Sequence, residues 1–567
     1  MAPTPAAEAV ELRVLDGPNV YFPRPAVKLT LAVPGWLGAG EERIRRAMQT
    51  VGVPGAPGAA GTERRRRTVA KIAAGLTREL AARAGVRRLA VRGRPGPEAG
   101  TIVVAFPWRR RGSAEALARA AARSMRDGLR RSPARVLHDE AVVVAAADPG
   151  PEPTVPDPTV PVIQVTGTNG KTTTVRLLAH VVRTAGLHVA YSSTDGVYRD
   201  DRRVKKGDYS GFGGAALALR ARPDVAVLET ARGGILLRGI GVRHNDVAVV
   251  TNVSADHLGL QGIDTVDQLA EVKATITRIT RPGGWDLLNA DDPRVLAMRR
   301  HATGRIWIWS RSPEHPAIRE VLADGGRATT VLDGRITWLE GGSVHPVVPV
   351  ADVPLTIAGL SSIFTSNALA AASAALAVGL PSGAVARGLR SFVPDPERNP
   401  GRANLFALDG RTVVIDYAHN EAGMLGLTEI LEGLRPRDAE IWLAICTAGD
   451  RTEEILHGFG FRAAVGSDHL AVADLPHYTR GRTAQEVYDA LAAAAATAGV
   501  HDPPRYRGEL HALQRMLAAS RRGDVLGVTA LGMRPQLFRW LAANGARRLT
   551  PADVQRRARA AARSRAT

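Results

Sequence analysis

Six consecutive residues, Gly167-Thr168-Asn169-Gly170-Lys171-Thr172, join two conformationally permissive glycines to an ammonium and a hydroxyl. Phosphate binding is the chemistry that needs this set. Main-chain N–H groups close on an anion, the lysine reaches the terminal phosphates, and the threonine hydroxyl can hold Mg2+. Glu229 ends the apolar run Val225-Ala-Val-Leu-Glu229 and can ligate the same cation. His257 follows a second apolar run, and Lys273 lies sixteen residues beyond it. Only six lysines occur among the 75 basic residues. Arginine serves wherever a cation suffices, so a surviving lysine marks a place for lysine chemistry, since a guanidinium does not become a neutral amine. Lys171 and Lys273 are two such places.

The elements around these residues must bring them to one edge. Pro161 to Thr166 reads as a short buried strand and Thr172 to Ala185 has helical periodicity, so the glycines fall in a strand-to-helix turn. Val165 stands where the usual eight-residue phosphate loop begins with glycine. Further strand-like runs at Leu187–Ser192, Val225–Glu229 and Val247–Asn252 alternate with helical segments, which predicts a parallel sheet with crossover helices. Ligands bind such a sheet at the carboxyl ends of its strands. A helix is expected from Thr265 to Ile279, carrying Lys273. A second alternating block begins near Asn399, with strands at Thr412–Tyr417, Glu440–Thr447, His469–Ala473 and Asp524–Thr529.

Ahead of these blocks, Leu12–Leu15 and Thr101–Phe106 read as strands, and Arg67–Ala84 and Ala114–Arg130 as helices. The acidic, proline-rich stretch near Asp148 can neither pack nor run as a helix. The expected organisation is an N-terminal domain over 1–145, a linker over 146–160, a central domain over 161–395, a C-terminal domain over 396–545 and a basic tail over 546–567.

A 45% hydrophobic, 23% charged chain has the balance of a globular protein. No apolar run approaches the roughly 18 residues of a membrane span. Met1 to Val10 shows neither a basic n-region nor an apolar core, so the expectation is a cytoplasmic protein without a membrane partner. A single cysteine, Cys446, excludes an internal disulfide and a multi-cysteine metal site. The net charge of +20 admits nucleic acid or an acidic substrate as partner. With 4% aromatic residues and no stacking motif among the basic runs, nucleic acid is the weaker expectation. Arg64–Arg67, Arg109–Arg111 and the tail after Val554 read as solvated faces.

The ordered motifs resemble a family. Gly167–Thr172, Leu228-Glu229-Thr230, Asn252 through Asp256-His257-Leu258-Gly259, Lys273 and Asn289-Ala-Asp-Asp292 are similar to the central domain of the Mur ligases and folylpolyglutamate synthetases. Asp416-Tyr417-Ala418-His419-Asn420 resembles the start of that family's C-terminal domain. Ser193-Thr-Asp-Gly-Val-Tyr198, Lys206-Gly-Asp208, Glu229 through Leu236 and Asp256 through Asp264 are similar to the Mur-like half of the cyanophycin synthetases, and Leu15-Asp-Gly-Pro-Asn-Val20 to their N-terminal domain. The implied fold class is α/β: a P-loop Mur-ligase central domain and a Rossmann-like C-terminal domain, preceded by a small α+β domain. Cyanophycin synthetases place an ATP-grasp domain where this chain has a short proline-rich linker.

The resemblance implies ATP and Mg2+ as cofactors. It also implies a ligation in which a substrate carboxylate takes the γ-phosphoryl group and the acyl phosphate is captured by an amine. Lys171, Glu229, His257 and Lys273 are the implied catalytic residues, with Thr172 and Glu229 on the first metal and His257 and a carbamylated Lys273 assisting a second. Gly167 to Thr172, Asn367, Arg402, Asp416 and His419 are the implied nucleotide contacts. Ile363-Phe364 replaces a His-Asn pair that often opens the asparagine motif. Lys206, Asp208 and Arg232 are acceptor candidates, and Arg480 and Arg482 candidates for the incoming amino acid. The expected partners are an amine or amino acid and an acidic or peptide carboxylate, in a homo-oligomer. Peptidoglycan-precursor or folate-type ligation and a non-catalytic nucleotide-binding subunit stand as alternatives.

Overall fold

A computed structural model describes residues 6–256 and 258–566 and contains three sheets. Strands β1 (Glu8–Leu15), β2 (Ala26–Ala32), β3 (Arg92–Pro95) and β4 (Thr101–Pro107) form an antiparallel sheet of order β1-β2-β4-β3. It is covered by helices α1 (Glu63–Arg83) and α2 (Arg111–Asp127) around Val27, Leu29, Ile72, Ile102 and Phe106, and α3 (Pro133–Ala145) packs on those two helices. Arg65 departs from the expected solvated face. It lies on the side of α1 that carries Thr68, Val69 and Ile72, is 2% exposed, and donates to the carbonyls of Ala39 and Gly58.

The central sheet has eleven strands. β5 (Val162–Thr166), β6 (Val189–Ser193), β9 (Val225–Glu229), β10 (Asn245–Val250), β11 (Thr280–Asn289), β12 (Arg305–Ser310) and β13 (Arg327–Leu332) run parallel. Antiparallel strands β7 (Gly196–Arg199) and β8 (Arg202–Lys206) close one edge, and β14 (Arg335–Glu340) with β15 (Ser343–Pro349) the other. The parallel strands are buried on both faces, so their side chains divide by alternation. Ile163, Val165, Val227 and Val249 face one core; Val162, Ala226, Leu228 and Val250 face the other. Since β5 lies between β9 and β10, the chain leaves it in both directions, which opens a crevice at its carboxyl end. Helix α4 (Lys171–Thr184) starts there.

Two helices follow the pattern only in part. α5 (Arg232–Leu237) is a short turn after β9. α6 (Val266–Lys273) ends at Lys273, short of the full helix to Ile279 that the periodicity predicts, and continues as a 3-10 segment over Ala274–Ile279. The β-branched run Thr275-Ile-Thr277 crowds the preceding turn, and the Thr277 hydroxyl donates to the Ala274 carbonyl instead. Helices α7 (Ser362–Ala377) and α8 (Ser382–Ser391) pack against α4.

The C-terminal sheet orders β20 (Arg505–Tyr506), β19 (His469–Ala473), β18 (Ile441–Ile445), β21 (Val525–Thr529) and β17 (Arg411–Asp416) in parallel, with β16 (Asn404–Leu408) and β22 (Arg547–Arg548) antiparallel at the edge. α9 (Glu421–Leu434) and α10 (Glu509–Ala519) pack on it, and α11 (Arg534–Ala543) packs against α10 with Leu537 and Leu541 in the same core. The basic tail contains helix α12 (Pro551–Ala566), which docks on α9. Its small residues Ala558 and Ala561 are buried with Val554, while Arg565 caps the Glu432 and Arg435 carbonyls at 2.7 and 2.6 Å. The arginines expected in solvent thus flank a packed seam.

The proline-rich linker is extended and anchored. Gly112 N–H donates to the Pro149 carbonyl at 2.8 Å, Arg111 N–H to Pro151 at 3.0 Å and Arg243 N–H to Pro156 at 3.0 Å. The N-terminal domain also meets the central one through Gly17 N–H on the Arg238 carbonyl (3.1 Å), Ile240 N–H on the Pro18 carbonyl (2.7 Å) and the Asp16–Arg238 ion pair (2.6 Å).

Candidate functional site

The turn between β5 and α4 has backbone geometry that only glycine satisfies at both positions. Gly170 adopts φ 87°, and a Cβ there would lie 2.2 Å from the Asn367 Oδ1. At Gly167, φ 151°, a Cβ would lie 1.8 Å from the Thr251 hydroxyl. The carboxyl end of β10 holds the turn from below. Asn169 N–H donates to the Asn252 Oδ1 (2.8 Å), the Thr251 hydroxyl donates to the Asn169 carbonyl (2.7 Å), and Thr168 N–H bonds the Asn252 carbonyl (2.9 Å). Lys171 Nζ folds back onto the Gly167 and Thr168 carbonyls at 3.0 and 2.8 Å.

Glu229 ends β9 directly beside the first turn of α4. Its Oε2 accepts from the Thr172 hydroxyl (2.9 Å) and from Thr194 N–H (3.4 Å), while its Oε1 is buried with no hydrogen-bond partner. Burial pushes the carboxyl above its ordinary range, against the pull of Lys171. A divalent cation fits this orphaned oxygen: hard cations take carboxylate and hydroxyl oxygens. Among the described residues no three His, Cys, Asp or Glu side chains gather around one point, so phosphate oxygens and water would complete the shell.

Lys273, at the end of α6, is 3% exposed and donates to the Gly167 carbonyl at 2.6 Å. Burial, then repulsion by Lys171, brings its ammonium well below the usual lysine range. His257 lies outside the described residues; its neighbour Asp256 faces the C-terminal domain, with Arg451 at 3.4 Å and His419 Nε2 at 3.9 Å.

The C-terminal domain presents one continuous run to this crevice. Asp416, ending β17, accepts from Ala403 N–H and Ala418 N–H at 2.8 Å each, and burial raises its carboxyl despite Arg402. The Arg402 guanidinium lies over the Tyr417 ring, 4.1 Å from its centre. His419 Nδ1 contacts the Tyr417 carbonyl at 2.8 Å, and burial lowers its imidazolium against the attraction of Asp256. Asn420 caps α9 and meets Asn169 of the phosphate loop. The structure therefore gathers Gly167 to Thr172, Glu229, Lys273, Asn367 and His419 about one crevice, with Asp416 and Arg402 on its C-terminal wall.

The remaining candidates are dispersed. Lys206 is exposed on β8, and Asp208 turns onto Ser210 N–H and Oγ. Arg232 donates to the Leu260 carbonyl at 3.2 Å. Arg480 and Arg482 pair with Asp450 (2.8 Å) and Glu453 (2.7 Å). Sequence reasoning gave no role to Thr194, although it lies in the Ser193–Tyr198 motif, and did not single out Arg451; they sit in the turns after β6 and β18.

Residues 165–375 match the family model described as Mur ligase middle domain. The chain is 40% identical over 333 residues to cyanophycin synthetase of Synechocystis sp., covering 59% of this chain and 38% of that protein. It is 31% identical over 233 residues to UDP-N-acetylmuramoylalanine–D-glutamate ligase of Symbiobacterium thermophilum, covering 41% and 44%. The solved structure of E. coli FolC with DHPP and ADP superposes with TM-score 0.52 at 21% identity, over 69% of this chain and 90% of that one. The chain spans about two-fifths of the length of the cyanophycin synthetases it matches. Residues 165–375 are thus similar to a Mur ligase middle domain, the α/β fold is shared with FolC, and the matched part of the chain resembles cyanophycin synthetase. Among the described residues no helix is long and apolar enough to cross a membrane.

Proposed function

We propose that this chain is an ATP-dependent ligase that activates a substrate carboxylate as an acyl phosphate and joins it to an amine. The observation that carries this reading is the pairing, in one crevice, of the unpartnered Glu229 Oε1 beside Thr172 with the buried Lys273 amine on the Gly167 carbonyl. Glu229 and Thr172 would hold Mg2+, which when bound would offset the charge that builds on the leaving group during phosphoryl transfer. Lys171 would leave the Gly167 and Thr168 carbonyls for the terminal phosphates. A substrate carboxylate oxygen then attacks the γ-phosphorus, the bond to the β-phosphate oxygen breaks, and ADP departs. The amine nitrogen attacks the acyl carbon, loses a proton, and inorganic phosphate leaves. Burial disfavours the Lys273 ammonium, which favours uptake of CO2 by its amine as a carbamate; that would release one proton and supply an anionic oxygen in the field of Lys171 and Arg232. His257 is proposed to assist, with Lys273, a second metal on family resemblance alone.

A carboxylate presented on a peptide is proposed as acceptor and an amino acid as amine, in keeping with the 40% identity to cyanophycin synthetase. With a single phosphate loop at Gly167–Thr172, each bond would consume one ATP. The test is ADP release from the purified chain given ATP, Mg2+, an Asp-containing peptide and single amino acids in turn. ADP and phosphate should appear only when acceptor and amine are both present. Release that ignores both, or polymer growth from free aspartate, arginine and ATP, would contradict the reading.

A further inference from the structure

Arg534 is the first residue of α11, and its guanidinium carbon lies 5.0 Å from the centre of the Tyr417 ring. Arg402 approaches the same ring at 4.1 Å. Two guanidiniums therefore share one aromatic, and the Arg176 guanidinium on α4 adds a third positive field at Arg402. Asp416, the acid whose charge acts on Arg402, already accepts from Ala403 and Ala418 N–H, and Arg176 is paired with Asp195 at 2.6 Å. Arg402 Nη1 is buried with no hydrogen-bond partner. A desolvated donor among like charges is costly unless an anion completes it.

Arg534 is also held in place. The Glu509 carboxylate, fully buried at the start of α10, accepts from Leu531, Gly532 and Met533 N–H at 2.6, 2.8 and 2.6 Å. That fixes the turn immediately before Arg534, whose Nη1 reaches back to the Pro400 carbonyl at 3.1 Å. The turn follows β21, which pairs with β17, so Arg534 and Tyr417 come from the carboxyl ends of adjacent strands. Three residues on from Tyr417, Asn420 touches the phosphate loop. The two-arginine stack thus stands at the wall of the nucleotide crevice, and the anion that suits it is a polyphosphate, which planar guanidiniums bind bidentately.

We propose that Arg534 is a second arginine on the phosphates of the bound nucleotide, paired with Arg402 across Tyr417. This rests on the nucleotide site of the ligase reading. The test titrates the full chain with MgADP and with adenosine, each displacing a fluorescent ATP analogue. Arg534→Met, at a half-buried position, should weaken MgADP by about tenfold or more and leave adenosine unchanged, as loss of a charge-assisted contact requires. Arg534→Lys should recover part of that loss. Equal weakening of both ligands, or an unchanged ratio between them, would overturn the assignment of Arg534 alone. A wild-type chain that binds no MgADP would overturn the nucleotide reading beneath it.

Discussion

The carboxamides of Asn169 and Asn420 bond each other reciprocally: each Nδ2 donates to the other's Oδ1, at 3.2 and 3.1 Å, across 251 residues of sequence. One belongs to the phosphate loop and the other to the C-terminal domain, so domain closure and loop geometry share a contact. Asn420 also accepts from Gly423 N–H to cap α9. Asn420→Asp preserves the cap but cannot donate to Asn169, and it places a negative charge beside incoming phosphates. The KM for ATP should rise about tenfold with little change in melting temperature. Steady-state kinetics beside a thermal melt read both quantities, and an unchanged KM would show the amide pair to be incidental.

Lys171→Ala and Glu229→Ala should each reduce ligation by at least about a hundredfold, the scale of losing a preorganised charge at a phosphoryl group. Neither should unfold the chain. Glu229 is a desolvated carboxyl with one oxygen unpartnered, so its removal relieves a burial cost that offsets part of the lost Thr172 contact. Near-normal ADP release from both variants would remove the basis of the ligase reading.

Lys273→Arg retains a cation of similar reach but cannot form a carbamate. It should be almost inactive, and added bicarbonate should not restore it. The wild type should incorporate isotopically labelled bicarbonate as a carbamate signal that the variant lacks. An active Lys273→Arg enzyme would mean that Lys273 serves only as a cation.

His180, on α4, contacts the Ser391 hydroxyl at 2.8 Å and the edge of Phe392. Burial, followed by repulsion from Arg183, lowers its pKa to about 4. Its unfolded value is near 6.5, so between those values the unfolded chain binds a proton that the folded chain refuses. Stability contributed by neutral His180 is therefore complete above about pH 6.5 and is lost as pH falls toward 4. Urea midpoints across that window should decline, and His180→Gln should flatten the decline. Parallel curves for the two proteins would assign the acid sensitivity to other groups.

The crevice was legible because its residues follow strands whose both faces are apolar: β5, β9 and β10 announce themselves, and Glu229 and the Gly167–Thr172 turn sit at their carboxyl ends. β8 was not legible, since Arg202-Arg-Val-Lys-Lys206 is exposed throughout and has no buried face to pattern it. The edge strand β3 was not legible for a related reason: its half-buried alternate residues are Gly93 and Pro95, which give no apolar strand signal. Lys273 was placed on the right helix, but the helix end fell earlier than its periodicity suggested, because β-branched residues override an apolar repeat. Arg65 was missed for a different reason. A four-arginine run looks solvated, and only the shape of the carbonyl cup around Ala39 and Gly58 decides which member turns inward. Arg534 lay beyond sequence reasoning altogether, since nothing in its neighbours specifies a ring contributed by another strand.

The anchored linker changes what the N-terminal domain is to the rest of the molecule. A proline-rich segment of this kind would normally work as a hinge and a ready cleavage point. Here its carbonyls are bonded at Pro149, Pro151 and Pro156, so it behaves as a strut. With the Asp16–Arg238 contact as a second attachment, rotation about either joint is blocked by the other. A protease needs several residues free to enter its cleft in extended form, and this segment can offer them only after both attachments open. Nicking of the linker should therefore report the parting of the two domains, and its rate should follow that opening in place of the segment's own composition.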